Sequence, residues 1–122
     1  LLRYTSAGHP PAFLIRPSCE EIIQLQTRGM VVGMFEDPII PFENGEIELF
    51  PGDKLLIYTD GILEITDENK QMQDSEKLEN FLMLNRQQRI GPLLDRVFEY
   101  CLNYSDQGTF DDDVTMIGME VL

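Results

Sequence analysis

The residues best suited to chemistry sit in two aspartate settings far apart in the chain. Tyr58-Thr59-Asp60-Gly61 closes one apolar run, and Asp111-Asp112-Asp113-Val114-Thr115 opens another. Each puts a carboxylate where a strand-like segment meets a loop, and hard dications such as Mg²⁺ and Mn²⁺ bind through such oxygens. Two such ions roughly 3.5–4 Å apart can activate a water and clamp a phosphate. The pair of motifs therefore points to metal-dependent phosphoryl hydrolysis. That scheme needs more carboxylates than Asp60 and Asp112 supply, so further ligands are expected from upstream sequence.

Taken singly, each motif has a plainer account. An Asp-Gly after a strand is a turn, and three acids in a row form a solvated loop. Their placement at opposite ends of two apolar runs is what favours a shared site. If the two strands are antiparallel neighbours, Asp60 and Asp112 reach the same edge of the sheet, and Gly61 lets the backbone turn away without a Cβ clash. His9, the sole histidine, lies between Gly8 and Pro10 in a stiff loop. It reads as a structural or solvated residue, or as a ligand or hydrogen-bond partner at the rim of the site. There is no Ser-His-Asp grouping, P-loop, dinucleotide fingerprint or zinc-type spacing.

The secondary structure carrying these residues is read from pattern. Leu2–Ser6, Ala12–Arg16 and Glu21–Gln26 read as short strands separated by the Ala7–Pro11 loop and by Pro17. Arg28–Met34, with Gly29 and Gly33, reads as a loop or irregular strand, and Pro38 and Pro41 break the next stretch. Glu46–Phe50 alternates acid and apolar residues, the mark of a half-exposed strand. Pro51-Gly52-Asp53 is a turn. Lys54–Thr59 is apolar on both faces, which predicts a strand covered on both sides. In the second half the period changes. Asp74-Ser75 can cap a helix carrying Leu78, Phe81 and Leu82. Gly91-Pro92 begins another, with Leu94, Val97, Phe98, Cys101 and Leu102 at helical spacing. Val114–Leu122 closes the chain as a strand with Thr115, Ile117, Met119 and Val121 on one face.

Composition sets the outer bounds. A chain of 122 residues fits one domain. The formal net charge of −13 argues against a nucleic-acid partner, because phosphate backbones require Lys and Arg clusters. No apolar run approaches the roughly 18 residues of a membrane span. Cys19 and Cys101 are expected as free thiols in a reducing cytoplasm. The chain opens on Leu1 in strand-like composition, with no signal-peptide pattern, and reads as part of a longer protein.

These motifs together resemble the SpoIIE-type branch of the metal-dependent PPM (type 2C) serine/threonine protein phosphatases, in its C-terminal half. Ala7-Gly8-His9-Pro10-Pro11-Ala12 is similar to the family's AGHPP segment, and Arg28–Met34 to its glycine-containing loop. Pro51-Gly52-Asp53, Tyr58-Thr59-Asp60-Gly61 and Glu64 resemble its PGD…YTDGxxE core. Asp112-Asp113-Val114-Thr115 resembles its closing DDxT. The four motifs occur in the family's order along nearly the whole chain.

The resemblance implies an α+β fold, part of an α-β-β-α sandwich with mainly antiparallel sheets and helices in the second half. It implies two Mn²⁺ or Mg²⁺ ions, with Asp60 and Asp112 as metal ligands. Asp113 falls where other members carry Asn or Asp, and Gly61 where the family first turns after the metal-bearing strand. The implied activity is hydrolysis of phosphoserine or phosphothreonine on a protein, typically an antagonist of an anti-sigma factor in bacterial partner switching, under a preceding sensor domain. Two departures matter. The family's early metal-bridging aspartate is absent from this sequence, so the fragment alone is expected to be inactive. Met72-Gln73 also stands where Phe-Gly is common, so the loop there is expected to differ. The alternative function is a regulatory or binding module that keeps the sandwich without hydrolysing; an interaction domain unrelated to phosphate is a third.

Overall fold

The computed structural model describes residues 1–37 and 40–122. The expected break at Pro38 lies outside the described residues. The elements run β1 (Leu2–Tyr4), β2 (Ala12–Ile15), β3 (Ile22–Leu25), β4 (Gly45–Ile47), β5 (Lys54–Tyr58), a 3₁₀ turn (Asp60–Ile62), α1 (Ser75–Leu84), α2 (Ile90–Tyr104) and β6 (Met116–Glu120). The strands are those expected, but shorter. Pairing ends where the partner ends, and β4 stops at Ile47 although the alternation continues to Phe50.

Four strands form one antiparallel sheet in the order β3-β2-β5-β6, and β1 and β4 form a separate antiparallel ribbon. Side chains alternate across the sheet, so each strand supplies two layers. Phe13, Ile15, Leu56 and Tyr58 point to one face and pack under α1 and α2 through Leu78, Leu82, Leu93, Val97 and Cys101. Leu14, Leu25 and Leu55 point to the other, where Leu2, Tyr4 and Ile47 of the ribbon cover them. The result is a helix layer, a central sheet and a smaller β layer, an α+β fold with antiparallel sheets and both helices in the second half.

Coverage of that second face is incomplete. Ile57, Ile117 and Met119 lie on it and are 42%, 60% and 46% exposed, because the ribbon reaches only β2 and the start of β5. The expectation that β5 is covered on both sides therefore holds for Leu55 and not for Ile57. The face of β6 that carries Ile117 and Met119 is likewise the exposed one. Its other face meets α2, and a Cβ on Gly118 would lie 2.6 Å from Ile90 side-chain carbons.

Local chemistry sets the ends of the elements. The Asp74 carboxylate accepts a hydrogen bond from the Lys77 N–H and caps α1. Helix α2 starts at Ile90, before Gly91-Pro92, so Pro92 sits in its first turn, where the missing N–H costs little. Its buried residues are Leu93, Val97 and Cys101, of which Val97 and Cys101 belong to the expected set and Leu93 does not. Phe98 is 43% exposed and packs beside Phe110, with ring centroids 5.3 Å apart. The stripe that meets the sheet is Leu93, Val97 and Cys101 with Leu94 beside them, and Phe98 falls outside it. Leu94 is half-buried against the core.

The turn into β5 is Phe50-Pro51-Gly52-Asp53, with Gly52 at φ +92° and the Asp53 N–H donating to the Phe50 carbonyl. That is the residue pattern of a type II turn. The Asp53 carboxylate is buried and takes three hydrogen bonds from Arg16, two from Nε at 3.0 and 3.2 Å and one from Nη2 at 2.8 Å, plus one from the Phe50 N–H at 2.9 Å. Burial pushes the Asp53 carboxyl up, but the Arg16 and Phe50 hydrogen bonds and the nearby cations outweigh it and hold it below the usual range. Both cysteines are free thiols: Cys101 is buried and Cys19 is only half-buried, outside the core.

Candidate functional site

The two aspartate motifs meet. Strand β5 pairs antiparallel with β6, and the last matched residues are Tyr58 and Met116. Asp60 therefore leaves the sheet at the edge where Asp111–Asp113 approach it. One further backbone rung extends the ladder, from the Thr59 N–H to the Thr115 carbonyl at 3.0 Å. Beyond it, the Thr59 side chain takes over. Its Oγ1 accepts from the Thr115 N–H at 3.0 Å and donates to the Asp113 carbonyl at 3.2 Å.

Gly61 completes the contact. A Cβ at that position would lie 2.5 Å from the Asp113 carbonyl oxygen and 3.2 Å from Val114 Cγ2. The expectation that Gly61 avoids a clash is met, and the clashing group is the backbone of the other motif. The Asp60 carbonyl accepts from the Leu63 and Glu64 N–H groups at 2.8 and 3.0 Å, which tightens the chain into the 3₁₀ turn. Below the turn, the buried Gln73 amide donates to the Ile62 carbonyl at 2.7 Å and reaches Cys101 Sγ at 3.4 Å. The segment around Met72-Gln73 is thus built as a short bridge between Thr66 and Met72, with Gln73 turned into the core.

The carboxylates themselves face water. Asp60, Asp111, Asp112 and Asp113 are all exposed. Asp112 Oδ1 accepts from the Asp113 N–H at 2.7 Å, and among the described residues its second oxygen has no protein partner. Beneath them the site is buried and apolar. Tyr58 is buried, stacks on Phe13 at 5.1 Å between centroids, and its phenol is pushed up to about 12 by that burial.

His9 stands apart from the acids. It is exposed, its Nδ1 lies 2.9 Å from the Pro10 carbonyl, and the Ser6 hydroxyl donates to its own carbonyl at 3.3 Å. It makes no hydrogen bond to Asp60 or Asp112. It lines an open groove of about 270 Å³ with Leu2, Tyr4, Ala12 and Ile57, among others. The antiparallel pairing of β2 with β5 puts this groove at the edge from which Asp60 emerges.

The donor chemistry suits a hard dication, since exposed carboxylates from two facing loops are its preferred ligands. The donor number is short of a closed site. Among the described residues, no three His, Cys, Asp or Glu side chains gather closely enough to hold a metal ion. Sequence reasoning found Asp60, Gly61 and the 111–113 acids but gave no separate role to Thr59, Gln73 or Asp53. Thr59 lies in the motif, but nothing local marks its hydroxyl's role. Its hydroxyl acquires partners only once β5 and β6 are in register.

The profile of the Stage II sporulation protein E (SpoIIE) family matches residues 1–122. The chain belongs to the SpoIIE family. Among curated relatives it is 28% identical over 118 residues to protein IcfG of Synechocystis sp., covering 97% of this chain and 18% of IcfG. It is 26% identical over 111 residues to phosphoserine phosphatase RsbU of Bacillus subtilis, covering 89% of this chain and 32% of RsbU. The fold is that of the phosphatase domain of the cell fate determinant SpoIIE from Bacillus subtilis, from a crystal presoaked in Mn, with a TM-score of 0.69 at 16% identity. That match covers 98% of this chain and 50% of the SpoIIE domain chain. This SpoIIE-family chain thus spans half or less of the length of these relatives. Among its described residues no helix is long and apolar enough to cross a membrane.

Proposed function

We propose that this chain forms the C-terminal part of a metal-dependent protein phosphatase domain, with Asp60 and Asp112 as ligands of Mn²⁺ or Mg²⁺. The observation that carries the reading is the pairing of β5 with β6, which delivers both motifs to one edge of the sheet and joins them through Thr59. Family membership supports it, as does the phosphoserine phosphatase named among the relatives. Asp113 contributes its backbone carbonyl to the Thr59 and Gly61 contacts, and its carboxylate is the weaker candidate ligand. Gly61 serves by close approach, and His9 by lining the groove beside the site.

The chain's own residues bind and orient. Two carboxylates on loops anchored to neighbouring strands offer negative charge at a fixed rim, and the apolar floor of Tyr58 and Phe13 keeps that rim from shifting. When bound, divalent ions supply charge stabilisation to phosphoryl oxygens and lower the pKa of water. The remaining ligands come from outside this chain, so the intact protein is the enzyme and this part alone holds metal weakly. The substrate class is phosphoserine or phosphothreonine on a partner protein, an anti-sigma-factor antagonist in partner-switching signalling, in the cytoplasm and under an upstream sensor domain.

The test is Asp60→Asn in the intact protein. Asn keeps the shape and one oxygen but removes the charge that offsets the dication. Mn²⁺-dependent release of phosphate from a phosphoserine protein should fall to near background while circular dichroism stays that of wild type. Undiminished turnover would sink the metal-ligand role. A wild-type protein that binds phosphoprotein but releases no phosphate would instead favour the regulatory module.

A further inference from the structure

We propose that Thr59 is a positioning residue that fixes the separation of the Asp60 and Asp112 carboxylates through its hydroxyl. The inference rests on the metal reading above. Backbone pairing between β5 and β6 runs out just where the two loops must face each other. Past the Thr59–Thr115 rung, among the described residues, the hydrogen bonds joining the loops are those of Thr59 Oγ1.

A hydroxyl has one proton to donate and lone pairs to accept with. Here it uses both: the proton goes to the Asp113 carbonyl and a lone pair takes the Thr115 N–H. The same carbonyl is the group that the absent Gly61 Cβ leaves room for. Asp113 is therefore held by the residue before Asp60 and given room by the residue after it. Asp112 is held in turn, because its carboxylate accepts from the Asp113 N–H.

The need for such a staple is electrostatic. Asp60 and the three acids 111–113 carry like charge on facing exposed loops. Without an attachment they would splay apart before any cation arrived. The staple holds the rim assembled, so that the cost of bringing the carboxylates together falls on folding and not on metal binding.

Thr59→Val keeps the branched shape and strand preference while removing both hydrogen bonds. In the intact protein it should weaken Mn²⁺ affinity, measured calorimetrically, by roughly 10–100-fold, the range seen when a partner that orients a ligand is lost. It should also speed hydrogen exchange at the Thr115 amide roughly fivefold without metal, the equivalent of one ordinary hydrogen bond. Thr59→Ser, which retains the hydroxyl, should restore both. If the valine protein fails to fold, Thr59→Cys, with its weaker donor and acceptor, carries the same comparison. Wild-type Mn²⁺ affinity in the folded valine or cysteine variant would overturn the proposal and leave the metal site standing. Failure of the wild-type protein to bind Mn²⁺ at all would overturn the metal reading and the staple's function with it.

Discussion

Gly61 and the carbonyl oxygen of Asp113 approach so closely that a Cβ on residue 61 would sit 2.5 Å from that oxygen. Carbon and oxygen do not share that distance, so a side chain of any size must move one strand end away from the other. The obstructing group is backbone, anchored by Thr59, and it cannot rotate aside.

Gly61→Ala should accordingly cost about 1–3 kcal/mol of stability, the range for overpacking a close contact. Its larger effect should fall on the site, because the shift opens the gap between Asp60 and Asp112. Urea unfolding and Mn²⁺ titration of the intact protein measure the two effects separately. A variant with wild-type Mn²⁺ affinity would mean that the loops tolerate a wider separation than the geometry indicates.

Much of this site is legible in the sequence. Asp60, Gly61 and Asp112 lie at strand ends marked by apolar runs, and chain direction alone brings them to one edge once the strands pair antiparallel. The hydrogen bonding across the seam is not legible there. Thr59 belongs to a recognisable motif, but its partners, Asp113 and Thr115, are known only from register. The same limit applies to α2. Leu94, Val97, Phe98, Cys101 and Leu102 fit a helical face, and so does the row through Leu93, Val97 and Cys101. Spacing cannot say where the edge of a broad apolar stripe falls; in the fold Leu93 and Leu94 both turn inward with Val97 and Cys101, Leu94 against Gly118, and Phe98 is left outside. The ion pair of Arg16 and Asp53 is hidden for a related reason. Asp53 looks like turn punctuation until the match of Ile15 with Lys54 sets Arg16 beside it.

The choice of helical row has a direct consequence for stability. Leu93 is 1% exposed, and Leu93→Ala should cost about 2–5 kcal/mol through lost burial and the cavity left behind. Phe98→Ala removes a larger side chain but a half-exposed one, whose main partner is the Phe110 ring. Its cost should stay near the ~0.5–1.5 kcal/mol of an aromatic pair. Paired unfolding midpoints test the order. A Phe98 variant less stable than the Leu93 variant would place Phe98 rather than Leu93 against the sheet.

Gln73 offers a test of how the Asp60 turn is supported from below. Its amide donates to the Ile62 carbonyl inside the core, while among the described residues its buried Oε1 has no partner. Gln73→Leu removes the orphaned oxygen but leaves the Ile62 carbonyl unsatisfied. An unpaired buried acceptor costs about 1–3 kcal/mol. The gain from deleting the orphan offsets part of this, so a net loss of about 1 kcal/mol is expected, with weaker hydrogen-exchange protection localised to residues 60–65. Uniform loss of protection across α1 and α2 would show that Gln73 supports the core at large and not the turn.

The last prediction concerns acid. Arg16 and Asp53 join β2 to the turn that starts β5, at the sheet edge opposite the aspartate site. Asp53 is held below its usual range in the folded protein. For a carboxyl depressed in this way, the stabilisation is fully present above its unfolded pKa, about 3.9. It is lost as pH falls through the lower folded value. At pH 7, Arg16→Met should cost about 3 kcal/mol, the low end for a broken buried pair, because it strands a buried carboxylate that keeps only the Phe50 N–H. Asp53→Asn should cost less, because the stranded Arg16 keeps some access to water, with a side chain 17% exposed. Below pH 4 the wild-type protein should lose stability faster than the Asp53→Asn variant, whose residue 53 no longer titrates, and the gap between them should narrow. Urea midpoints of both proteins at pH 7 and pH 3 give the comparison. A gap that stays constant would mean that Asp53 does not titrate in that window and that the pair contributes through its shape alone.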